Sequence, residues 1–137
     1  MKFNKLIPEL RVSSLQKSLH FYKDILGFKV EYERKEKKFA FISNEGAQMM
    51  LEENPNSKWK TGKLEHPYGR GVNFQIAVKD LKVLLGKLKE NNYSLKTEPT
   101  ENWYRQEDNL LGVRELLILD PDGYLLRFSQ GIGKRKA

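Results

Sequence analysis

Few side chains in this 137-residue chain are of the types that perform covalent chemistry. The chain contains no cysteine, which excludes disulfides, thiolate nucleophiles and thiolate metal ligands. It has two histidines: His20 falls on the polar side of a predicted helix, and His66 precedes Pro67 in a predicted loop. Neither has a partner carboxylate and nucleophile at a suitable spacing, so a Ser-His-Asp reaction centre is not supported.

Aromatic side chains in two long polar connections are stronger candidates for contact with a ligand. Trp59 lies in a predicted connection over residues 53–70, and Trp103 and Tyr104 lie in a second one over residues 98–112. Connections of this length are often functional, and a tryptophan at a rim can stack on a flat ring. The alternative is that each tryptophan packs onto its own sheet. That alternative is favoured for Trp59, whereas ligand binding is favoured for Trp103.

The elements that position these residues include an amphipathic helix near the start of the chain. Apolar side chains at helical spacing predict a helix over residues 14–26, namely Leu15, Leu19, Tyr22 and Leu26. Ser13 and Gln16 have the spacing of a capping box, which predicts that the Ser13 side chain caps this helix. Gly27 suits the left-handed residue that ends many helices.

Alternating and β-branched segments predict eight strands. They cover residues 6–12, 28–34, 39–42, 48–52, 72–78, 94–97, 113–119 and 124–129. Asp80 is placed to cap a second helix, whose apolar face carries Leu81, Leu84, Leu85 and Leu88. Residues 120–123, with the sequence Asp-Pro-Asp-Gly, predict a hairpin turn.

The order of these elements repeats along the chain. A shift of 66 positions superposes Val12 on Val78 and Leu15 on Leu81. The chain therefore predicts an α+β fold with two β-α-β-β-β modules, about 5–53 and about 71–131, within a single domain over 1–137. Each module is too small to bury its own sheet, so we expect the two sheets to form an open cup that can hold a ligand.

The formal net charge of +7 does not by itself indicate nucleic-acid binding. The lysines are spread along amphipathic helices and a short tail, as expected for solvated faces, without clusters of basic and aromatic residues on one face. We therefore expect no nucleic-acid partner. No segment is long and apolar enough to span a membrane or to resemble a signal peptide, so we expect no membrane partner and a cytoplasmic protein.

Several segments together resemble the vicinal oxygen chelate superfamily, which groups glyoxalase I, extradiol dioxygenases, fosfomycin-modifying enzymes and bleomycin resistance proteins. They are residues 10–12 before the first helix, residues 21–28 (Phe-Tyr-Lys-Asp-Ile-Leu-Gly-Phe) and residues 120–124 (Asp-Pro-Asp-Gly-Tyr). Residues 125–130, Leu-Leu-Arg-Phe-Ser-Gln, are most similar to the bleomycin resistance branch. The resemblance implies a homodimer that exchanges its N-terminal strand and helix.

The resemblance also implies four metal-ligand positions in the enzymes, where His, Gln or Glu is expected. The matching residues here are Ile7 (with Glu9 as the nearest substitute), Glu52, Asn73 and Arg127. Of these four only Glu52 suits a metal, because isoleucine has no lone pair, an asparagine carbonyl is a weak ligand and a guanidinium repels cations. We therefore expect no metal and no cofactor.

Glu52 and Arg127 occupy corresponding positions of the two modules, which predicts that they pair with each other where relatives hold a metal. The alternative is that each faces solvent independently. Phe39 and Phe41 share one strand face, and we expect that face to line the cup. Arg114 either reaches an anionic ligand group or is a charge at the rim; face-counting leaves both open.

These features predict a non-catalytic small-molecule-binding protein that resembles bleomycin resistance proteins and sequesters its ligand in a dimer crevice. The expected ligand-binding residues are Phe39, Phe41, Glu52, Trp59, Asn73, Trp103, Tyr104, Arg114 and Arg127. Bleomycin-like glycopeptides are cationic, so either the cup is locally acidic or the ligand differs. The alternative is a metal-dependent enzyme like the glyoxalases, fosfomycin-resistance enzymes or dioxygenases.

Overall fold

The structure of the chain, a computed structural model, describes residues 1–137. These residues form two compact units. The first comprises Met1–Tyr68 with Pro121–Gly123, and the second comprises Gly69–Asp120 with Tyr124–Ala137. Each unit contains one four-stranded mixed sheet and one main helix. The predicted α+β class built from two β-α-β-β-β modules is confirmed.

In the first unit the strands are β1 (Glu9–Arg11), β2 (Lys29–Arg34), β3 (Phe39–Asn44) and β4 (Ala47–Glu52). Helix α1 (Leu15–Leu19) continues as a π-helical segment over His20–Ile25, and a 3-10 turn covers Lys35–Lys37. In the second unit the strands are β5 (Asn73–Ala77), β6 (Thr97–Gln106), β7 (Asn109–Leu119) and β8 (Leu125–Lys136), with helix α2 (Leu81–Glu90). Neither helix combines the length and the apolar character that crossing a bilayer requires.

Helix α1 is bounded by the expected kinds of residue, although its cap is shifted by one position. The prediction that Ser13 caps it is wrong: the N-cap is Ser14, whose hydroxyl accepts from the Lys17 N–H at 3.3 Å. Ser13 is diverted because its N–H and its hydroxyl both donate to the carboxylate of Asp122. At the other end Gly27 has a φ of 83°, which confirms the predicted left-handed residue.

The two sheets share one topology. Their strand orders are β1-β4-β3-β2 and β5-β8-β7-β6, with the first pair of each parallel and the others antiparallel. In the first sheet one face carries Leu10, Ile42 and Leu51, all buried. Helix α1 packs against β4, and the π-helical segment that follows it supplies further buried apolar side chains to this core, namely Phe21, Tyr22 and Ile25. Burying a side chain of this size contributes about 2 kcal/mol.

Helix α2 follows its prediction closely. The carboxylate of Asp80 accepts from the Lys82 N–H at 2.9 Å and caps the first turn. Leu81, Leu84 and Leu88 are buried, so the predicted apolar face is the one that packs. The helix ends at Glu90, followed by Asn91 as its C-cap.

The segment after α2 differs most from the prediction. Residues 94–96 form no strand, and residues 98–112 form no connection, because β6 and the start of β7 occupy them. A two-residue turn at Glu107 and Asp108 joins the strands, with Glu107 at a φ of 54°. Strand β8 continues to Lys136 and so pairs with the extended β7. Strand β6 is a polar edge strand without alternating apolar residues, which is the reason that its sequence did not predict it.

Candidate functional site

The register of the first sheet brings a charged cluster and an aromatic cluster onto the same face. Arg11 lies opposite Glu52, and Glu52 lies opposite Phe39. Phe41 lies two residues along β3 and therefore on the same side as Phe39. This face is the one opposite to the helix-covered core, and we call it the polar face of the first sheet.

Arg11 lies at the centre of the charged cluster and is only 4% exposed. Its Nη1 donates to Glu52 and, at 2.9 Å, to the hydroxyl of Ser57, while its Nη2 donates to Glu9. Ser57 belongs to the long connection after β4, so this hydrogen bond ties the connection to the sheet. The guanidinium has only N–H donors, so both carboxylates accept from the same buried side chain.

The aromatic cluster covers the neighbouring part of the same face. Phe39 and Phe41 share this face, as predicted, and both are buried. The ring of Tyr32 is stacked on Phe41 with centroids 5.3 Å apart, and Phe3 meets Phe41 edge-on at 5.4 Å. The guanidinium of Arg34 lies 4.4 Å above the Phe39 ring. Because these side chains cover the two phenylalanines, a ligand contact for them stays a prediction.

The second sheet has a corresponding polar face, which its register also defines. Gln75 on β5 lies opposite Arg127 on β8, and Asn73 lies two residues from Gln75 on the same side. The guanidinium Nη2 of Arg127 donates to the amide oxygen of Gln75, and its Nε lies 3.8 Å from the carboxylate of Glu115. Asn73 and Gln75 are exposed, whereas Glu115 is 6% exposed. We call this set the polar face of the second sheet.

The Glu115 carboxylate accepts hydrogen bonds from two side chains of the edge strand β6. The hydroxyl of Tyr104 and the amide of Asn102, which donates at 3.0 Å, both bind one oxygen of its carboxylate. Sequence reasoning missed Arg11, Gln75 and Glu115 as members of these clusters. The spacing Glu9-Leu10-Arg11 could have indicated the first cluster, because residues two apart on a strand share a face.

The prediction that Glu52 pairs with Arg127 is wrong. Glu52 accepts from Arg11, and Arg127 donates to Gln75, so each has its partner within its own unit. The reason is register: the parallel pairing of β1 with β4 sets Arg11 directly beside Glu52, and that of β5 with β8 sets Gln75 beside Arg127. Local partners across adjacent strands lie about 5 Å apart and are therefore in direct reach of each other.

The two tryptophans differ from their predicted settings in opposite ways. Trp59 is 79% exposed, so packing of its ring onto the sheet, which was the favoured interpretation, is wrong. Trp103 lies in β6 and not in a loop, with its ring over Gly112, where an added Cβ would come within 2.7 Å of the ring. The guanidinium of Arg135 stacks 4.0 Å from the Trp103 centroid. Of the two tryptophan rings, that of Trp59 is therefore the more accessible to a ligand.

Arg114 lies on the helix-covered face of the second sheet. Residues alternate along β7, so Arg114 and Glu115 point to opposite sides. Arg114 lines a pocket with Leu81 and Leu85 of α2. It is therefore neither part of the polar face nor a member of the Arg127 cluster.

The Tyr104 phenol has a perturbed acidity. Its hydrogen bond to the Glu115 carboxylate raises the pKa of Tyr104 above its ordinary value, because ionisation would set two anions side by side. Burial, with the Asp120 charge as a smaller cause, likewise raises the pKa of Tyr93. Both groups favour the neutral form in the folded state. Their contribution to stability is complete below the unfolded pKa of about 10 and is lost as the pH rises through the raised values.

An alkaline titration should detect these two phenols. In a titration followed by phenolate absorbance, we expect Tyr93 and Tyr104 to ionise at higher pH than an unfolded tyrosine. Tyr104→Phe should remove one phenol from this late phase. In Glu115→Gln the neutral amide no longer opposes ionisation, so Tyr104 should titrate earlier. A late phase of unchanged amplitude in Tyr104→Phe would contradict the assignment.

Two four-stranded sheets from repeated β-α-β-β-β modules, each with a charged group on its polar face, define the class of fold. The model of the Glyoxalase/Bleomycin resistance protein/Dioxygenase superfamily matches residues 4–128. The chain therefore belongs to this superfamily.

Several solved structures are similar to this chain. A superfamily member from Vibrio splendidus is 32% identical, with 90% of this chain and 95% of that chain covered and a TM-score of 0.42. A virulence protein from Salmonella typhimurium is 18% identical over 96% of this chain and 100% of its own, with a TM-score of 0.71. A glyoxalase/bleomycin resistance protein/dioxygenase from Alicyclobacillus acidocaldarius is 16% identical over 95% and 92%, with a TM-score of 0.63. No curated protein matches the chain.

The superfamily contains metal enzymes, but the residues present here do not fit a divalent cation. Glu52 is already bound to the guanidinium of Arg11, and Arg127 itself carries a positive charge. No three His, Asp or Glu side chains converge as a ligand set. A cation placed at either cluster would be repelled by a guanidinium, because Arg11 is hydrogen-bonded to Glu52 and the Nε of Arg127 lies 3.8 Å from the Glu115 carboxylate.

Proposed function

We propose that this protein is a non-catalytic small-molecule-binding member of its superfamily, which retains its ligand by affinity alone. The observation that carries the proposal is the position of the arginines. Arg11 and Arg127 occupy the polar faces of the two sheets, in the region where metal ligands would be needed for catalysis. A binding protein requires only a shaped surface with a few fixed polar groups, and the two clusters provide these.

Arg127 is the side chain best able to bind a ligand directly. A guanidinium has five N–H donors, and the single hydrogen bond of Arg127 is to Gln75. Its side chain is 33% exposed, and the exposed Asn73 and Tyr104 lie on the same face. This group would bind a carbonyl or carboxylate of the ligand through Arg127, while the Tyr104 ring offers a surface for a flat group.

The first ligand class to test is a bleomycin-like glycopeptide with a flat heteroaromatic part, sequestered in a crevice of a homodimer. The first cluster supports a cationic ligand, since Glu9 and Glu52 outnumber Arg11 and leave a formal charge of −1. The exposed ring of Trp59 supplies a further surface for stacking. The overall charge of +7 opposes a cationic ligand at long range, so the test includes ligands of other charge.

The proposal is tested by calorimetric titration of bleomycin, fosfomycin and a glutathione adduct, each with added Mn²⁺ or Zn²⁺ and with a chelator. We expect one of them to bind with equal affinity in the presence of the chelator. Arg127→Met should weaken that binding about tenfold, the magnitude of one charge-assisted hydrogen bond. Arg105→Met is the matched control, because Arg105 is exposed and its side chain donates only to the Glu107 carbonyl.

Two outcomes would overturn the proposal. Binding or turnover that requires Mn²⁺ or Zn²⁺ would favour the alternative of a metal-dependent enzyme related to glyoxalases, fosfomycin-resistance enzymes or dioxygenases. If none of the compounds binds, the proposed drug-sequestering function is contradicted. Sedimentation of the protein with and without the bound compound tests the homodimer independently, and a monomer in both conditions would exclude the dimer crevice.

A further inference from the structure

Strand β8 is longer than the strand that pairs with one of its two edges. Strand β5 pairs only with residues 125–129, whereas the antiparallel pairing of β8 with β7 continues to Lys136. Over residues 131–136 the edge of β8 that faces away from β7 therefore has no neighbouring strand. Five of these six residues are exposed, and an added Cβ at Gly131 would meet no atom within 4 Å. We call this segment the open edge of β8.

The backbone groups along the open edge of β8 point outward at alternate residues. The Ala137 N–H donates to the Asp108 carbonyl at 3.1 Å, on the side of β7. Successive residues of a strand direct their N–H and C=O groups to opposite edges, so those of Lys136 and Lys134 point away from β7. Each of these two lysines thus offers one donor and one acceptor to a strand added at this edge.

The same two residues give the open edge a positive charge. Their neighbours across β7, Asn109 and Leu111, carry no charge. Both lysines are exposed, and neither belongs to an ion pair. Arg135 lies between them and adds a third cation, while β8 contains no acidic residue. On a strand added at this edge, a side chain opposite Lys134 or Lys136 would have its Cβ about 5 Å from the Cβ of the lysine.

We propose that the open edge of β8 binds an extended acidic peptide of a partner protein, which adds to the second sheet as a further strand. The peptide backbone supplies the acceptors and donors that the outward N–H and C=O groups need, and acidic residues at alternate positions would pair with the two lysines. A second copy of this chain is disfavoured at this edge, because it would bring two sets of cations together. The phosphates of a nucleic acid could accept from the N–H groups but could not donate to the carbonyls.

This site is independent of the proposed function. Arg127 and Lys134 lie opposite positions 117 and 111 of β7, which are about 20 Å apart along the strand. Arg127→Met, which should weaken ligand binding at the polar face of the second sheet, should therefore leave peptide binding at the open edge unchanged.

The test titrates two blocked hexapeptides into the isotope-labelled protein, one of alternating glutamate and threonine and one of alternating lysine and threonine. With the glutamate peptide we expect saturable amide chemical shifts over residues 131–136. The lysine peptide should bind about tenfold more weakly, because repulsions replace two exposed ion pairs. Added salt should reduce this difference. Single-stranded hexathymidylate serves as a third probe and should bind more weakly than the glutamate peptide.

Variants separate the contribution of the backbone from that of the charge. Lys134→Pro removes one outward N–H and should weaken binding of the glutamate peptide about tenfold, while the hydrogen bonds to β7 remain because Lys134 does not take part in them. Lys134→Thr keeps the N–H and folds as a strand residue, so it should weaken binding only about threefold, through the lost charge. Arg105→Thr is the matched control, since Arg105 is an exposed cation on β6, at the opposite edge of the same sheet.

Four results would each overturn the proposal. They are equal affinity for the two peptides, unchanged affinity in both Lys134 variants, tighter binding of hexathymidylate than of the glutamate peptide, and shifts over residues 131–136 that depend on protein concentration without any peptide. The last of these, followed by sedimentation, would identify a second copy of the chain as the occupant of the open edge.

Discussion

Arg11→Met is expected to lower the free energy of unfolding by about 3–5 kcal/mol, the cost of removing one partner from a buried ion pair. Methionine has a similar length but leaves Glu9, Glu52 and Ser57 without their shared donor. Two neighbouring carboxylates would then repel each other in a site with little access to water. The measurement is urea unfolding followed by circular dichroism, with the variant and the parent chain compared at neutral pH.

Lys29→Met provides the matched control. Lys29 also binds a carboxylate two residues away on its strand, that of Glu31 at 3.0 Å, but its side chain is 76% exposed. An exposed pair contributes about 0–1 kcal/mol, so this variant should unfold almost as the parent does. Arg11→Met combined with Glu52→Gln should recover part of the loss. If Arg11→Met lowers the free energy of unfolding by less than about 1 kcal/mol, the cluster is solvated. The pairing of Arg11 with Glu52 would then no longer argue against a metal ion at Glu52.

The second large effect is expected for Gly123→Ala, at about 3–4 kcal/mol of destabilisation, the sum of a backbone and a steric penalty. Gly123 has a φ of 92°, where a side chain costs about 1–2 kcal/mol. A Cβ at this position would also come within 2.5 Å of the Pro67 Cα, a backbone atom that cannot rotate away. Forcing this overlap apart adds roughly 1–3 kcal/mol. The same urea titration measures the sum.

Gly46→Ala separates the two contributions. Gly46 has nearly the same φ, 91°, but an added Cβ would find no atom within 4 Å, so only the backbone penalty of about 1–2 kcal/mol applies. Gly123→Ala should therefore be the more destabilising of the two by about 2 kcal/mol. Equal losses in both variants would mean that the turn at Gly123 moves away from Pro67 without cost.

Local chemistry made much of the fold predictable. Apolar spacing predicted α2, and Asp80 predicted its start, because a helix needs both a buried stripe and acceptors for its first N–H groups. Gly27 predicted the end of the first helix, because the residue there takes a positive φ. These features depend on residues within a few positions of one another, so one sequence contains the whole signal.

Features that depend on strand register were not predictable in the same way. Strand β6 pairs along a polar segment, and its register with β7 exists only once the turn at Glu107 is formed. The hydroxyl of Ser13 binds Asp122, 109 positions away, so no local pattern could show that Ser14 would cap the helix instead. The partner of Glu52 was missed for the same reason: it depends on how β1 lies beside β4.

Each sheet has a guanidinium and its acceptor on its parallel strand pair, but the two sheets place the guanidinium on opposite members of that pair. In the first unit the guanidinium is on β1 and its acceptor on β4, whereas in the second unit the guanidinium is on β8 and its acceptor on β5. Counting one arginine with two glutamates gives −1 for the first group, and one arginine with one glutamate gives zero for the second. The two units of the repeat are thus electrostatically inequivalent, and each would favour ligands of a different charge.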